Sequence, residues 1–186
     1  MNGLTGGHSG AEIHKGLGNS NKILFELIQK LNSDFDVKIC SIDGGGLRNA
    51  IPRESSAIIS FDEDNLNSFK KIMKNTSQTL VAEFKETDDN INLEFELLEN
   101  RFQTIGAIES KELINAINEC PNGVFEMSEN IDGLVETSNN LANIKLIEGK
   151  LKIQCLTRSS SENSKDKLSK IISKIFENIG CDCKFS

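Results

Sequence analysis

The chain has no tryptophan and no tyrosine, and its aromatic content rests entirely on ten phenylalanines. It has only two prolines and two histidines in 186 residues. No apolar run approaches the length of a membrane span, and the N-terminus lacks a signal-peptide pattern. No Cys-x-x-Cys pair occurs among the five cysteines, Cys40, Cys120, Cys155, Cys181 and Cys183, which argues against a disulfide framework or a zinc ribbon. Reduced cytoplasmic thiols acting as small hydrophobes fit this set. Positive charge is also short: the net charge of −7 argues against a nucleic-acid binder, which needs clustered cations to displace counterions.

The histidines, His8 and His14, are six positions apart. On a helix they lie about 240° apart around the axis. On a strand they share a face at roughly 20 Å. Neither geometry lets one metal bridge both, and His-x-Asp, His-Glu-x-x-His and EF-hand patterns are absent. The metal-ligand set for this chain is therefore read as none.

What is present is organised around Ile42 to Ser55, Ile-Asp-Gly-Gly-Gly-Leu-Arg-Asn-Ala-Ile-Pro-Arg-Glu-Ser. Three consecutive glycines suit a backbone that turns sharply or approaches something closely. Pro52 then fixes its own φ and pushes Ile51 into an extended conformation. Arg48 and Asn49 are held between a flexible entry and a stiff exit. The pair reads either as a ligand contact or as a solvated Arg beside a turn-stabilising Asn.

Hydrophobic spacing supplies the rest. Leu4 to Ser9 reads as a strand end running into a Gly-rich corner, and a chain starting almost inside that motif predicts a segment excised from a longer one. An N-cap at Asn19 or Ser20 opens a helix with an Ile23, Leu24, Leu27, Ile28 and Leu31 stripe. Val37 to Ile42 and Ala57 to Phe61 read as strands, and a second helix buries Leu66, Phe69, Met73, Leu80 and Phe84. Asn90 to Leu98 alternates like a strand. The first half thus follows the β-α-β-β-α-β order of a ferredoxin-like unit.

The second half repeats that order less clearly. A helix carries Leu113, Ile114 and Ile117 and stops at Pro121-Asn122-Gly123. Strands run from Leu134 to Ile147 and from Leu151 to Arg158. A last helix presents Leu168, Ile171, Ile172, Ile175, Phe176 and Ile179, with Gly180 as its stop, before a short strand over Cys181, Cys183 and Phe185. The reading is α+β, with two tandem ferredoxin-like halves, residues 1–98 and 99–186, and helices on one face of the sheet. Arg158 then ends its strand on the face the helices leave open.

Three side chains stand out as presented polar groups: His8, on a corner of small residues, with Asn49 and Arg158. Ser9 is not a nucleophile elbow, because Gly7-His8-Ser9-Gly10-Ala11 lacks the closing glycine. His14 reads as structural. The triple glycine is no P-loop, and the Lys165, Lys167, Lys170 and Lys174 series reads as a solvated helix face.

Four stretches are more specific: Gly3-Leu-Thr-Gly-Gly-His-Ser-Gly-Ala-Glu-Ile-His-Lys-Gly-Leu-Gly-Asn, Gly45-Gly-Leu-Arg-Asn-Ala-Ile-Pro-Arg-Glu, Pro121-Asn-Gly-Val and Gly133-Leu-Val-Glu-Thr-Ser-Asn-Asn-Leu. With Cys155-Leu-Thr-Arg-Ser, they closely resemble, in order, the aminoacyl-histidine dipeptidases of the dinuclear-zinc aminoacylase and carboxypeptidase group. The resemblance covers the family's lid domain only; it implies that a catalytic domain with two zinc ions and a general-base Glu lies outside this segment. It also implies that His8 stabilises the oxyanion at the scissile carbonyl, that Asn49 helps bind substrate, and that Arg158 holds the dipeptide's C-terminal carboxylate. A cytoplasmic enzyme hydrolysing Xaa-His-type dipeptides follows, with its own catalytic domain, a dipeptide and a second lid as partners, and neither nucleic acid nor membrane. The isolated segment is then expected neither to hydrolyse peptides nor to bind zinc tightly. The competing reading is a stand-alone ferredoxin-like ligand-binding or oligomerisation module without catalysis.

Overall fold

A computed structural model describes residues 1–185. After a two-residue strand β1 (Gly7–His8), helix α1 (Ser20–Asp34) begins where Asn19 accepts hydrogen bonds from the backbone of Asn21 and Lys22. This is the side-chain cap expected of an asparagine at that position. Strand β2 (Lys38–Gly45) runs antiparallel to β4 (Ser55–Ser60), and β3 (Ala50–Ile51) lies on the connection between them. Helices α2 (Leu66–Glu83) and α3 (Ala107–Glu119) follow. Then come β5 (Gly123–Met127), the long β6 (Val135–Ile147), β7 (Lys150–Ser159) and α4 (Glu162–Glu177).

Strand β6 is the spine. Along one edge it pairs with β2 through Asn143 to Leu146 and with β5 through Val135 to Asn139, while β7 follows nearly its whole other edge. All pairings are antiparallel, and β2–β6 joins residues on either side of position 98, so both halves share one sheet. The strands β1 and β3 form a separate two-stranded ribbon, with Gly7 opposite Ile51 and His8 opposite Ala50.

All four helices feed a core against one face of this sheet. Phe25, Ile28 and Leu31 of α1, Ile114 and Ile117 of α3, and Leu168 of α4 pack with Ile39, Ile42, Leu141 and Ile144. Each such side chain contributes roughly 1.5–3 kcal/mol before ordering costs. The opposite face carries the Lys145–Asp43 ion pair at 2.9 Å. On β7, Leu151, Ile153 and Cys155 face the core as the alternation predicts, leaving Lys152 and Arg158 exposed. Among the described residues no helix is long and apolar enough to cross a membrane.

Three segments depart from expectation. Residues 93–98 do not form a strand; only Asn92 bridges to Asn2, and Phe95 packs edge-on to Phe69 at 4.9 Å between ring centroids. Beyond that ring contact the alternating residues are not buried, Leu97 and Leu98 being exposed, so the stretch lacks both the covered face and the backbone partners of a strand. Cys181 to Phe185 is likewise not a strand, although Cys181 and Cys183 still rest on the core. Strand β5 was unforeseen, because Pro121-Asn122-Gly123 both stops α3 and starts a strand at once.

Candidate functional site

The glycine loop is shaped by close approach. Gly45 has φ +72°, and a Cβ there would lie 2.0 Å from the Ala142 carbonyl oxygen. Only glycine lets β2 end against β6 at that distance. The chain then closes a turn in which the Ala50 N–H donates to the Leu47 carbonyl (3.1 Å), with Arg48 and Asn49 in its two central positions. Both are exposed. Pro52 ends the excursion, and its carbonyl accepts from the Ser20 N–H at the head of α1 (3.1 Å).

His8 is anchored in the ribbon facing this turn. The Ser9 N–H donates to the Asn49 carbonyl at 2.9 Å, so the histidine corner and the Arg48–Asn49 turn are stitched together. The imidazole Nδ1 accepts from the N–H groups of Gly10 and Ala11, both at 3.1 Å. A neutral ring accepting at Nδ1 carries its proton on Nε2, leaving an N–H donor at its outer end. The His8 N–H itself donates to Glu12 Oε2 at 2.8 Å, and Lys15 Nζ donates to Glu12 Oε1 at 2.8 Å. The Lys15 hydrogen bond, aided by that from the His8 backbone, holds the Glu12 carboxyl below its ordinary range.

Arg158 arrives from β7, opposite Ser138 of β6 and exposed on the helix-free face. Gly10 measures its approach to His8. A Cβ on Gly10 would be 3.1 Å from His8 Cε1, and 3.2 and 3.3 Å from Arg158 Nε and Cζ. Imidazole and guanidinium therefore flank the same small space, with the Asn49 turn hydrogen-bonded to the residue between them in sequence, Ser9. The structure brings all three presented residues to one patch. Ser9 is 2% exposed, which agrees with its exclusion as a nucleophile. His14 lies exposed on a short helical turn over Ile13–Lys15, away from any core role.

A buried seam of asparagines, not foreseen from the sequence, holds this patch. Asn140 Nδ2 donates to the carbonyls of Ala50 (2.8 Å) and Arg48 (3.3 Å), the two residues flanking Asn49. Its Oδ1 accepts from Asn19 Nδ2 at 3.4 Å, and Asn19 also donates to Asn122 Oδ1 at 2.9 Å. Asn143 Nδ2 donates to the Gly45 carbonyl at 3.0 Å. On the Arg158 side, Asn139 Nδ2 donates to the Pro121 carbonyl at 2.7 Å and its Oδ1 accepts from Thr157 Oγ1 at 3.1 Å. Such amides must be paired, since a buried polar group left unmade costs about 1–3 kcal/mol. The only sequence signal was the unbroken polar run Thr137-Ser-Asn-Asn inside a strand.

The patch is open rather than enclosed. Two large cavities, of about 940 Å³ beside α2 and about 1060 Å³ beside α4, are lined by other residues and by neither His8, Asn49 nor Arg158. Among the described residues no three His, Cys, Asp or Glu side chains gather where they could hold a metal ion. The donor set for a dinuclear zinc centre does not fit onto this chain. The patch gathers a ring nitrogen donor, an amide and a guanidinium on an open surface.

Residues 1–88 match the peptidase dimerisation domain family. The cytosol non-specific dipeptidase of Escherichia coli (strain K12) is 36% identical over 166 residues, which is 89% of this chain and 34% of that protein. The crystal structure of the aminoacylhistidine dipeptidase of Vibrio alginolyticus superposes on all of this chain with a TM-score of 0.94 at 32% identity, using 38% of its own length. The chain spans about a third of the length of the relatives it matches.

Proposed function

We propose, from the premise that this chain belongs with the peptidase dimerisation domains of such dipeptidases, that it is the substrate-closing lid of a metallodipeptidase. Its two halves, residues 1–98 and 99–186, act together as one rigid cover through their shared sheet. The observation that carries the reading is the convergence of His8 and Arg158 on the space beside Gly10, with the Asn49 turn bonded to Ser9.

The chemistry follows from the groups. The His8 Nε2–H donates to the oxyanion that develops at a scissile carbonyl; its Nδ1 is already occupied, so the donor is preorganised. Arg158 pairs with the C-terminal carboxylate of a dipeptide through its planar fork. Asn49 binds the substrate's peptide group as donor or acceptor. Zinc ions, held by residues beyond those of this chain, would supply an activated water. Closure of the lid brings the three side chains onto a substrate already seated there. Xaa-His-type dipeptides are the substrates, after the name of the aminoacylhistidine dipeptidase, and the setting is cytoplasmic, after that of the cytosol non-specific dipeptidase. A homodimer through the lid is supported by the description of the matched family.

The test is Arg158→Ala in the full-length enzyme, assayed on a dipeptide and on the same dipeptide with its carboxylate amidated. The substitution should remove about 2–5 kcal/mol of transition-state binding for the free acid, roughly a 30- to 5,000-fold loss of kcat/KM. The amide should be hydrolysed equally poorly by both forms. A variant that still prefers the free acid as strongly as the parent removes Arg158 from carboxylate recognition.

A further inference from the structure

Four of the five cysteines lie on one side of the molecule, around β7 and α4. Cys120, just past the end of α3, meets Cys155 of β7 sulfur to sulfur at 4.0 Å. Cys155, Cys181 and Cys183 line the groove between β7 and α4, whereas Cys40 lines the cavity beside α2. None of the five is joined in a disulfide. Cys120 is 1% exposed and sits behind Cys155, which is half-buried at the groove.

The surroundings of the pair are polar on one side. Lys22 Nζ donates to the carbonyls of Ile117 (2.8 Å), Asn118 (2.7 Å) and Cys120 (3.0 Å), closing the C-terminus of α3 and setting a positive charge beside both sulfurs. Burial lowers the pKa of this lysine, and the sulfurs raise it in turn. Cys155 is drawn below its ordinary range by its contact with Cys120, then by Asn139 and Lys22, against its burial. Cys120 is pushed up by the same contact and by burial. The sulfur that lines the groove is that of Cys155, with Cys120 in contact from behind.

We propose that Cys120 and Cys155 form a dithiol that closes reversibly to a disulfide when a low-molecular-weight disulfide enters the groove between β7 and α4. The Cys155 thiolate attacks one sulfur of the small disulfide, forming a mixed disulfide and expelling one thiolate. Cys120 loses its proton to water and attacks Cys155 Sγ; the mixed bond breaks and the second small thiolate leaves. Two protein thiols are oxidised by two electrons, and one small disulfide is reduced to two thiols. The sulfurs need to approach by about 2 Å to reach bonding distance. The bond ties the α3–β5 junction to β7 three residues before Arg158, so oxidation stiffens the strand that presents the guanidinium.

The experiment treats the purified, reduced 186-residue chain with oxidised glutathione, then alkylates remaining thiols and maps the peptides by mass spectrometry without reduction. The wild-type chain should keep three of its five alkylatable thiols, yield a Cys120–Cys155 cross-linked peptide and recover all five with dithiothreitol. Cys120→Ser should stop at a persistent glutathione adduct on Cys155. Cys155→Ser should leave Cys120 unmodified. Circular dichroism of both variants checks that they are folded. Five alkylatable thiols in the treated wild type, a lasting adduct on its Cys155, or a bond from Cys155 to Cys181 or Cys183 instead, would each overturn the proposal.

Discussion

The two halves of strand β6 have nearly the same burial and opposite chemistry. From Thr137 to Asn140 four consecutive polar residues are buried, and from Leu141 onward Leu141, Ala142, Ile144 and Leu146 are buried and apolar, with Asn143 the one buried polar residue among them. The apolar half holds four helices by non-directional burial, which tolerates small displacements. The polar half holds loops by hydrogen bonds of fixed geometry, which do not. One strand thus provides bulk stability at one end and atomic positioning at the other, and the three presented side chains all stand beside the positioning end.

The sharpest way to break this comparison is to damage each half separately. Leu141→Ala removes a fully buried side chain from the apolar half and should destabilise the fold by about 2–5 kcal/mol in urea denaturation. In the proposed dipeptidase, the molecules that stay folded should keep their kcat/KM. A Leu141→Ala protein of unaltered midpoint would mean that the apolar half is not the structural anchor.

Asn140→Asp acts on the polar half. It replaces two donated hydrogen bonds, to the Arg48 and Ala50 carbonyls, with an acceptor-only carboxylate facing two acceptors. A stability loss of about 1–3 kcal/mol is expected. In the proposed dipeptidase kcat/KM should fall as well, since the turn presenting Asn49 loses its brace. The comparison is sharpened if activity in the folded fraction drops for Asn140→Asp and not for Leu141→Ala. Equal behaviour of the two variants would erase the division of labour.

The smallest effect concerns Glu12, which fixes the His8 corner. Its carboxyl is depressed in the folded protein, first by Lys15 and then by the His8 N–H. A depressed carboxylate contributes stability that is fully present above its unfolded value and is lost as pH falls through its folded value. The window therefore opens below the ordinary 4.5. The melting temperature of Glu12→Gln, followed downward in pH from neutrality, should fall less steeply below that point than the parent's. Parallel curves would show that the ion pair with Lys15 does not steady the corner.

Much of the patch is legible in the chain itself, because its parts are local. His8 sits among glycines, Asn49 follows a triple glycine and precedes a proline, and Arg158 ends a strand whose alternation assigns its face. Gly10 was legible only as part of a Gly-rich corner; its role as the gap between His8 and Arg158 depends on a residue 148 positions away in the chain. The asparagine seam was hidden for a related reason, since polar residues in a strand look like a solvated face until another chain segment covers them. Residues 93–98 misled in the other direction, since their alternation matches a half-buried strand while Phe95 and Leu97 stay exposed and the backbone finds no strand partner.

Composition, periodicity and capping residues by themselves determined the α+β class, the four helices with their buried stripes, the β6 and β7 strands and the identity of three presented polar side chains. These are consequences of interactions within a few residues of chain. Which strands share a sheet, that β6 joins the two halves, that Asn140 grips the turn around Asn49, and that an imidazole and a guanidinium meet over one glycine were decided only by the tertiary structure. Each of those depends on pairing between distant segments, where hydrogen-bond geometry and close packing select one arrangement among many that the local pattern allows.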